Sequence, residues 1–207
     1  KDQSYVLYSL TQDQLAHTLM PLGPYTKPEA RQLAEEAGLR VAHKPDSQEI
    51  CFVEDNDYAS FLERYTGTKA PQGDFVDAQG RILGRHRGIT HYTIGQRKGL
   101  GISFGKPMYV TKIDAVRNRI TLGEEGSQYA TSLLADDLNF IPFDTLDKPL
   151  QVQAKVRYQA RPADAVLTPV DGGRVRVDFA EPQRSVTPGQ AVVFYDGDLV
   201  VGGGVIL

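Results

Sequence analysis

The single cysteine, Cys51, is the residue with the most distinctive chemistry in this sequence of 207 residues. It follows the polar run at residues 46–49 and is flanked by Ile50 and Phe52. A thiolate is a strong nucleophile, so a cysteine at the junction of a polar loop and an apolar run is a candidate for nucleophilic chemistry. Nearby carboxylates favour the protonated thiol, however, and a lone cysteine among apolar residues usually packs as a small hydrophobic side chain. The spacing alone therefore favours a structural role.

Other catalytic chemistries have little support. One cysteine excludes an internal disulfide, and the four histidines lack the spacing of a zinc site, so we expect no metal. The glycine-rich residues 99–106 look like a phosphate loop. However, Leu100 and Pro107 stand where a Walker A loop needs Gly and Ser or Thr, and Phe104 stands where a dinucleotide fingerprint needs Gly. We therefore expect these glycines to form turns and expect no nucleotide site in this chain.

Residues 81–119, which we call the basic segment, contrast with an otherwise acidic protein. They carry nine Lys and Arg and one acid, whereas the whole chain has a net charge of −3. The overall charge argues against a uniformly basic nucleic-acid binder, but the segment predicts either a polyanion-binding surface or an ordinary solvated face. In the first case four cations should share one exposed face with a histidine nearby. These residues are Arg85, Arg87, Arg97 and Lys98, with His86 or His91.

The first third of the chain predicts mixed helix and strand. Thr26 precedes Glu29 by three residues, the spacing of a capping box, and Gly38 marks the end of that helix. Residues 39–42 then predict a strand, and Asp57 predicts the cap of a helix over residues 58–65. This order is typical of the end of an α/β unit.

From about residue 70 the pattern is that of short antiparallel strands. Hairpins are predicted within residues 73–84, within residues 108–122 and around Asp196-Gly197. Alternation over residues 151–158 places Arg157 on the outward side and Tyr158 on the inward side. The acidic residues 135–149 predict a linker before a small C-terminal barrel. The predicted fold class is α+β and mainly β.

Two long segments carry a resemblance to a known family. Asp46-Ser-Gln-Glu-Ile-Cys-Phe52 and Tyr92-Thr-Ile-Gly-Gln-Arg-Lys-Gly-Leu-Gly101 are similar to signature segments of the bacterial tRNA-specific 2-thiouridylases, the tRNA-uridine 2-sulfurtransferases. Shorter stretches at residues 1–5, 155–158 and 188–190 also resemble this family.

The resemblance implies three domains. Residues 1–65 would be the end of an α/β ATP-pyrophosphatase domain, residues 66–134 a small β-rich central domain, and residues 135–207 an antiparallel β-barrel. This order agrees with the elements predicted above.

The resemblance also implies a reaction. ATP, with Mg²⁺, would adenylate the C2 oxygen of uridine 34 at the wobble position of a tRNA, and Cys51 would carry a persulfide whose terminal sulfur replaces that oxygen. The family's Ser-Gly-Gly-x-Asp-Ser loop for ATP is absent from this sequence. Its first catalytic cysteine, which would form a disulfide with Cys51, is absent too. We therefore expect the second half of the enzyme, inactive alone and without a cofactor of its own.

By the same resemblance, three short segments match tRNA contacts. They are Lys1, Asp2 and Gln3; Arg157 and Tyr158; and Gln190. The alternation of the strand also explains Arg157 as an ordinary outward-facing residue. It places Tyr158 inward, so a contact of Tyr158 with tRNA requires the strand to end or bulge there. Tyr158 is therefore the weaker match. Gln190 is equally a turn residue.

The family further implies a tRNA partner, a protein that donates persulfide sulfur, a cytoplasmic location without a membrane, and a monomer. The alternative is a non-catalytic RNA-binding β-barrel module in which Cys51 is structural. An upstream Ser-Gly-Gly-x-Asp-Ser loop followed by a second cysteine would favour the enzyme.

Overall fold

A computed structural model describes residues 2–44, 53 and 57–207. The helices are α1 Ser4–Leu7, α2 Gln12–Ala16, α3 Lys27–Glu36, α4 Tyr58–Thr66 and a short 3-10 helix, Ile89–His91. The strands are β1 Gly73–Val76, β2 Ile82–His86, β3 Tyr109–Asp114, β4 Arg119–Gly123, β5 Tyr129–Phe140, β6 Leu150–Lys155, β7 Ala163–Val170, β8 Arg174–Arg184, β9 Ala191–Asp196 and β10 Leu199–Ile206. The described helices include none that combines the length and apolar character needed to cross a membrane.

Helix α3 begins as its sequence predicts. The Glu29 carboxylate accepts hydrogen bonds from the Thr26 backbone N–H at 2.6 Å and the Thr26 hydroxyl at 2.7 Å. Gly38, at a φ of 67°, follows the last turn. The strand predicted at residues 39–42 is wrong, because these residues form turns in which the Ala42 N–H donates to the Leu39 carbonyl. No described strand lies alongside to complete a ladder, so the short apolar run folds back on itself.

The middle of the chain forms a four-stranded sheet in the order β2-β1-β4-β3. The β1–β2 and β3–β4 pairs are the predicted hairpins, and β1 and β4 join them in parallel. The core of this sheet packs Phe75, Val110, Ile120 and Leu122, all nearly inaccessible to solvent. Helix α4 is capped as predicted, with Asp57 accepting a hydrogen bond from the Ser60 N–H, and it packs beside the 3-10 helix.

The last part of the chain confirms the predicted antiparallel barrel. Six strands close in the order β10-β5-β8-β7-β6-β9 around a core that includes Leu167, Val177, Val192 and Phe194. The linker predicted at residues 135–149 is wrong over its first part, because Ala135 lies within β5 and is fully buried. The acidic side chains at 136 and 137 hid the alternation of buried and exposed positions in this strand.

Residues 2–12, which we call the N-terminal segment, pack on the outer face of the barrel. Strand β9 is buried on both faces, and its outward residues Val193 and Tyr195 are covered by Tyr5 and Tyr8. The Asn139 side-chain amide donates to the backbone carbonyls of Tyr8 at 2.6 Å and Leu10 at 3.1 Å. The start of the described chain is therefore fixed to the barrel.

Candidate nucleic-acid interface

Parts of the three distant segments predicted to contact tRNA lie near Tyr5 of the N-terminal segment. The Tyr5 ring meets the Tyr158 ring edge-on, with centroids 6.0 Å apart. The Tyr5 hydroxyl donates a 2.7 Å hydrogen bond to the carbonyl of Ala191, the neighbour of Gln190 in the chain. Burial raises the pKa of Tyr5 to about 12, so this hydroxyl remains a donor at neutral pH. Tyr158 and Ala191, the chain neighbour of Gln190, therefore contact the tyrosine that lies two residues after Gln3.

The N-terminal segment is also held by its own polar groups. The Asp2 carboxylate accepts hydrogen bonds from the Ser4 backbone N–H and hydroxyl, each at 2.8 Å, and these bonds hold the pKa of Asp2 below its usual range. The Ser4 hydroxyl oxygen also lies 3.3 Å from the Tyr195 hydroxyl oxygen. The bonds between Asp2 and Ser4 anchor this end of the segment. Asp2 and Gln3 are nevertheless exposed, so their side chains remain accessible to a ligand.

Lys155 supports this arrangement and was missed in the sequence. Strand parity places it on the outer face, yet it is only 8% exposed. Its ammonium nitrogen lies 5.8 Å from the ring centre of Tyr5 and 5.9 Å from that of Tyr195, within the range of cation–π attraction. No sequence signal indicated that the N-terminal segment covers this outward position.

Arg157 links the barrel to the four-stranded sheet. Strand β6 ends at Lys155, and Arg157 and Tyr158 follow it in a bend and a turn. A contact of Tyr158 with tRNA required the strand to end or bulge at this point, and the strand does end before it. One guanidinium nitrogen of Arg157 donates to the Ser185 carbonyl at 2.7 Å and the Thr187 hydroxyl at 3.1 Å, and lies 3.5 Å from the Ile94 carbonyl. The half-buried Arg157 is thus bonded within the protein.

A close approach of the Gly95 backbone to the Ser185 side chain fixes the same junction. Gly95 has a φ of 85°, and a Cβ there would overlap the Ser185 hydroxyl. Ser185 is buried with a φ of 55°, and its N–H donates to the Gln128 carbonyl at 2.6 Å. The Gly95 N–H donates to the Val110 carbonyl of β3 at 2.7 Å. Residues 94–98 are therefore held against the end of β8.

The basic segment divides into paired and unpaired cations. Four of its cations form ion pairs with acids: Arg81 with Asp77, Arg85 with Asp74, Lys106 with Glu124 and Arg117 with Asp114. The remaining five make no ion pair within the described part of the chain. They are Arg87, Arg97, Lys98, Lys112 and Arg119. Counting charges in the sequence therefore overstates the positive surface.

The four predicted surface cations are all exposed, but they do not gather at one cavity. Arg97 and Lys98 line a cleft of about 480 Å³, which we call the junction cleft. Gly95, Tyr109, Glu125, Tyr129 and Arg184 complete its lining. Arg85, in β2, and Arg87, just after it, are not part of this lining.

His86 does not belong to a basic surface, which corrects the prediction from the sequence. It is 1% exposed, because β2 turns its side chain inward between Arg85 and Arg87. Its Nδ1 accepts a hydrogen bond from the Gly88 N–H, its Nε2 lies 3.2 Å from the Asn118 carbonyl, and burial lowers its pKa. His91 is half-buried, with Nε2 3.9 Å from a Glu63 carboxylate oxygen.

The described residues offer no evident cofactor site. They contain no group of three or more His, Cys, Asp or Glu that could hold a metal. Gly99, Gly101 and Gly105 have φ values of 73°, 79° and 70°, and the bends that they form lead to no helix, so this loop does not fit a nucleotide phosphate. Cys51 and Lys1 lie outside the described residues, whereas Val53 nearby is buried.

Comparison with known proteins gives three family matches in succession. The tRNA methyl transferase HUP domain matches residues 1–55, the tRNA methyl transferase PRC-barrel domain matches residues 59–124, and the aminomethyltransferase beta-barrel domain matches residues 130–206. Together these matches take in nearly the whole chain, in the order of the described elements.

Curated relatives match along the full length of the chain. The tRNA-specific 2-thiouridylase MnmA of Acetivibrio thermocellus is 61% identical over 206 residues, which are 100% of this chain and 57% of that protein. The tRNA-specific 2-thiouridylase MnmA 1 of Clostridium botulinum is 55% identical over the same length, 58% of that protein. The tRNA-specific 2-thiouridylase MnmA of Clostridioides difficile is 54% identical over 206 residues, which are 100% of this chain and 57% of that protein. The chain thus spans somewhat more than half the length of these relatives.

Proposed function

Because the chain belongs to the family of tRNA-specific 2-thiouridylases, we propose that this protein replaces the C2 oxygen of uridine 34 in tRNA by sulfur. The family-model descriptions name methyl transfer, whereas the relatives are named for thiolation. We follow the relatives because their identity runs along the whole chain. We also propose the division at residues 1–65, 66–134 and 135–207, in which the last two parts bind the tRNA together with residues 1–3.

The convergence on Tyr5 is the structural observation that supports tRNA binding most directly. The family resemblance places contacts at residues 1–3, 157–158 and 190, which are far apart in sequence, yet Tyr5, Tyr158 and Ala191, which lie in or within two residues of these segments, meet at one barrel face. Side chains that act on one ligand must be brought together by the fold. Tyr5, Lys155 and Tyr195 provide the packing that brings them there.

For the chemistry, we propose Cys51 as the sulfur carrier. It is the one cysteine in the sequence, and a persulfide needs a thiol. The terminal sulfur of that persulfide attacks the C2 carbon, and the oxygen that ATP has adenylated leaves as AMP. The S–S bond to Cys51 then breaks when a second cysteine forms a disulfide with Cys51, and we assign that cysteine to the part of the relatives that this chain does not span. No described residue fits ATP, so we assign ATP and Mg²⁺ to the part of the relatives that this chain does not span. A persulfide donor protein, the cytoplasm and a monomeric state complete the proposal.

Cys51→Ser in the full-length protein tests the carrier role. We expect no 2-thiouridine by mass spectrometry of nucleosides and a nearly unchanged affinity for tRNA, because the change removes a sulfur without touching a phosphate contact. Ser103→Ala, in an exposed loop, is the matched control and should retain both properties. If Cys51→Ser still thiolates tRNA at the normal rate, Cys51 is structural.

An assay of the wild-type protein distinguishes an enzyme from a non-catalytic RNA-binding module. An enzyme binds tRNA and forms 2-thiouridine when ATP and a persulfide donor are supplied. A non-catalytic RNA-binding module, the alternative, binds tRNA and leaves the nucleoside unchanged under the same conditions.

A further inference from the structure

We propose that the junction cleft binds a phosphate group of the RNA backbone between Arg97, Lys98 and Arg184. This inference rests on the proposed function. It extends that function to residues that the resemblance does not assign. The cleft lies where the loop after the 3-10 helix meets the last residue of β8. Its volume of about 480 Å³ leaves ample room for a phosphate and its attached sugars.

The charges of the junction cleft favour an anion. Three cations face one carboxylate, that of Glu125. This carboxylate already accepts hydrogen bonds from the Tyr109 hydroxyl and the Gln128 side-chain amide, and these bonds lower the pKa of Glu125. Within the described residues the side chains of Arg97, Lys98 and Arg184 have neither an ion pair nor a hydrogen bond with a neighbour. Their donors are therefore available to phosphate oxygens.

Arg184 connects this cleft to a second one. A neighbouring cavity of about 510 Å³ is lined by three cations, Arg157, Arg161 and Arg184, and by two acids, Asp164 and Glu181. Arg157 adjoins Tyr158, which lies at the surface around Tyr5. Arg184 thus stands between the cations of the four-stranded sheet and the predicted contacts on the barrel. A nucleic-acid backbone carries a phosphate at every residue and can follow such a path, whereas an isolated anion would occupy one cleft alone.

An aromatic ring beside the cations adds a feature suited to RNA. Tyr129 is the cross-strand partner of Arg184 in the β5–β8 pair, and its side chain is 45% exposed. Nucleic-acid grooves commonly combine backbone cations with tyrosine rings on which an unpaired base stacks. The ring of Tyr129 therefore offers a surface for a base next to the phosphate site.

The cleft is already shaped before RNA binds. The close packing of Gly95 on Ser185 and the bonds of Arg157 hold residues 94–98 at a fixed place beside the end of β8. Only side-chain rotamers need ordering when a phosphate enters, which lowers the entropic cost of binding. The three cations can thus act together on one group.

Salt-dependent binding of an unmodified tRNA transcript to the full-length protein tests this site. We expect Arg184→Gln to weaken binding roughly tenfold at low salt. It should also reduce the slope of log K against log salt by about 0.7–0.9, as the loss of one phosphate contact does. The double variant Arg97→Gln/Lys98→Gln should act in the same direction, and Arg184→Lys should restore most of the slope because it keeps the charge.

Arg119→Gln is the matched control, since Arg119 is exposed, makes no ion pair with a described residue and lines neither cleft. It should keep the wild-type slope. Thermal melting should be equal for all variants, which shows that they are folded. A wild-type slope in Arg184→Gln overturns the proposal, and so does an equal loss in Arg119→Gln.

Failure of the proposed function has a different signature. It appears in the wild-type protein as the absence of 2-thiouridine, while Arg184→Gln still lowers the salt dependence of RNA binding. Failure of the cleft alone appears as unchanged slopes in a protein that thiolates tRNA normally. A wild-type protein that binds no tRNA overturns both.

Discussion

Arg157 combines two roles that a single residue seldom fills. Its guanidinium joins Ser185 and Thr187 of the barrel to the vicinity of Ile94 in the preceding domain, and the same side chain lines the cleft next to Arg184. Parity predicted a simple outward-facing residue. The sequence contains no sign of the partner carbonyls, because these come from residues 28 and 63 positions away.

Arg157→Ala should destabilise the folded protein by about 1–3 kcal/mol, because the carbonyl of the buried Ser185 loses a charged donor. The measurement is thermal unfolding, where we expect a drop of several degrees. Arg161→Ala is the matched control, since Arg161 is exposed in the same cleft and makes no such bond among the described residues. Equal melting temperatures for the two variants would show that Arg157 does not brace the junction.

Loss of tRNA binding in Arg157→Ala must therefore be compared with its stability. If affinity falls at a temperature where the variant is fully folded, Arg157 contacts RNA directly. If it falls only as the protein begins to melt, the residue acts by holding the junction in place.

Among the elements, the loop at residues 94–98 has the strictest geometric requirement. Gly95 combines a positive φ with a backbone approach that leaves no space for a side chain. The family signature segment at residues 92–101 includes this position, and the structure explains why glycine is needed there. A larger residue would force the loop away from Ser185 and widen the junction cleft.

Gly95→Ala should lower stability by about 1–3 kcal/mol, because it adds both backbone strain and a steric overlap. Gly101→Ala separates these two causes, since Gly101 has a similar φ of 79° but no atom within 4 Å of the added Cβ. We expect Gly95→Ala to melt well below Gly101→Ala and to bind tRNA less tightly. Identical melting curves would mean that strain alone matters and that the contact with Ser185 does not.

The strands that could be predicted are those with one buried face and one face exposed to solvent, because their side chains alternate between apolar and polar. Alternation identified β6 and β8, and turn residues identified the hairpins, because each pattern reflects local burial. Strand β5 was missed since its acids interrupt the apolar pattern. The residues of the junction cleft come from the loop at 95–98, from β3, from the turn before β5, from the first residue of β5 and from the end of β8, so only the fold could bring them together.

For the molecule as a whole, the N-terminal segment joins the ends of the described chain. Tyr5 packs on β9, and Gly203 of β10 approaches Tyr8 so closely that a Cβ would overlap its ring. The predicted contacts at Asp2 and Gln3 are thereby carried by the barrel. The positions of Asp2 and Gln3 depend more on the packing of this segment against the barrel than on the hydrogen bonds of these two residues.

Tyr5→Phe should test that dependence, because it retains the ring and removes the donor to the Ala191 carbonyl. We expect a loss of about 1 kcal/mol in stability and a decrease in tRNA affinity, measured by melting and by a binding titration. Tyr25→Phe, at an exposed tyrosine, is the matched control and should change neither property. A Tyr5→Phe protein with normal tRNA affinity would show that the hydroxyl is not needed to place residues 2–3.

The barrel order has a consequence for synthesis on the ribosome. Strand β5 pairs with β10, and the N-terminal segment packs on β9. Residues 2–12 must therefore wait for strands translated nearly two hundred codons later. Until residues 191–206 leave the exit tunnel, the apolar faces of Tyr5 and Tyr8 have no native partner, so this is the interval in which a nascent chain most needs a chaperone.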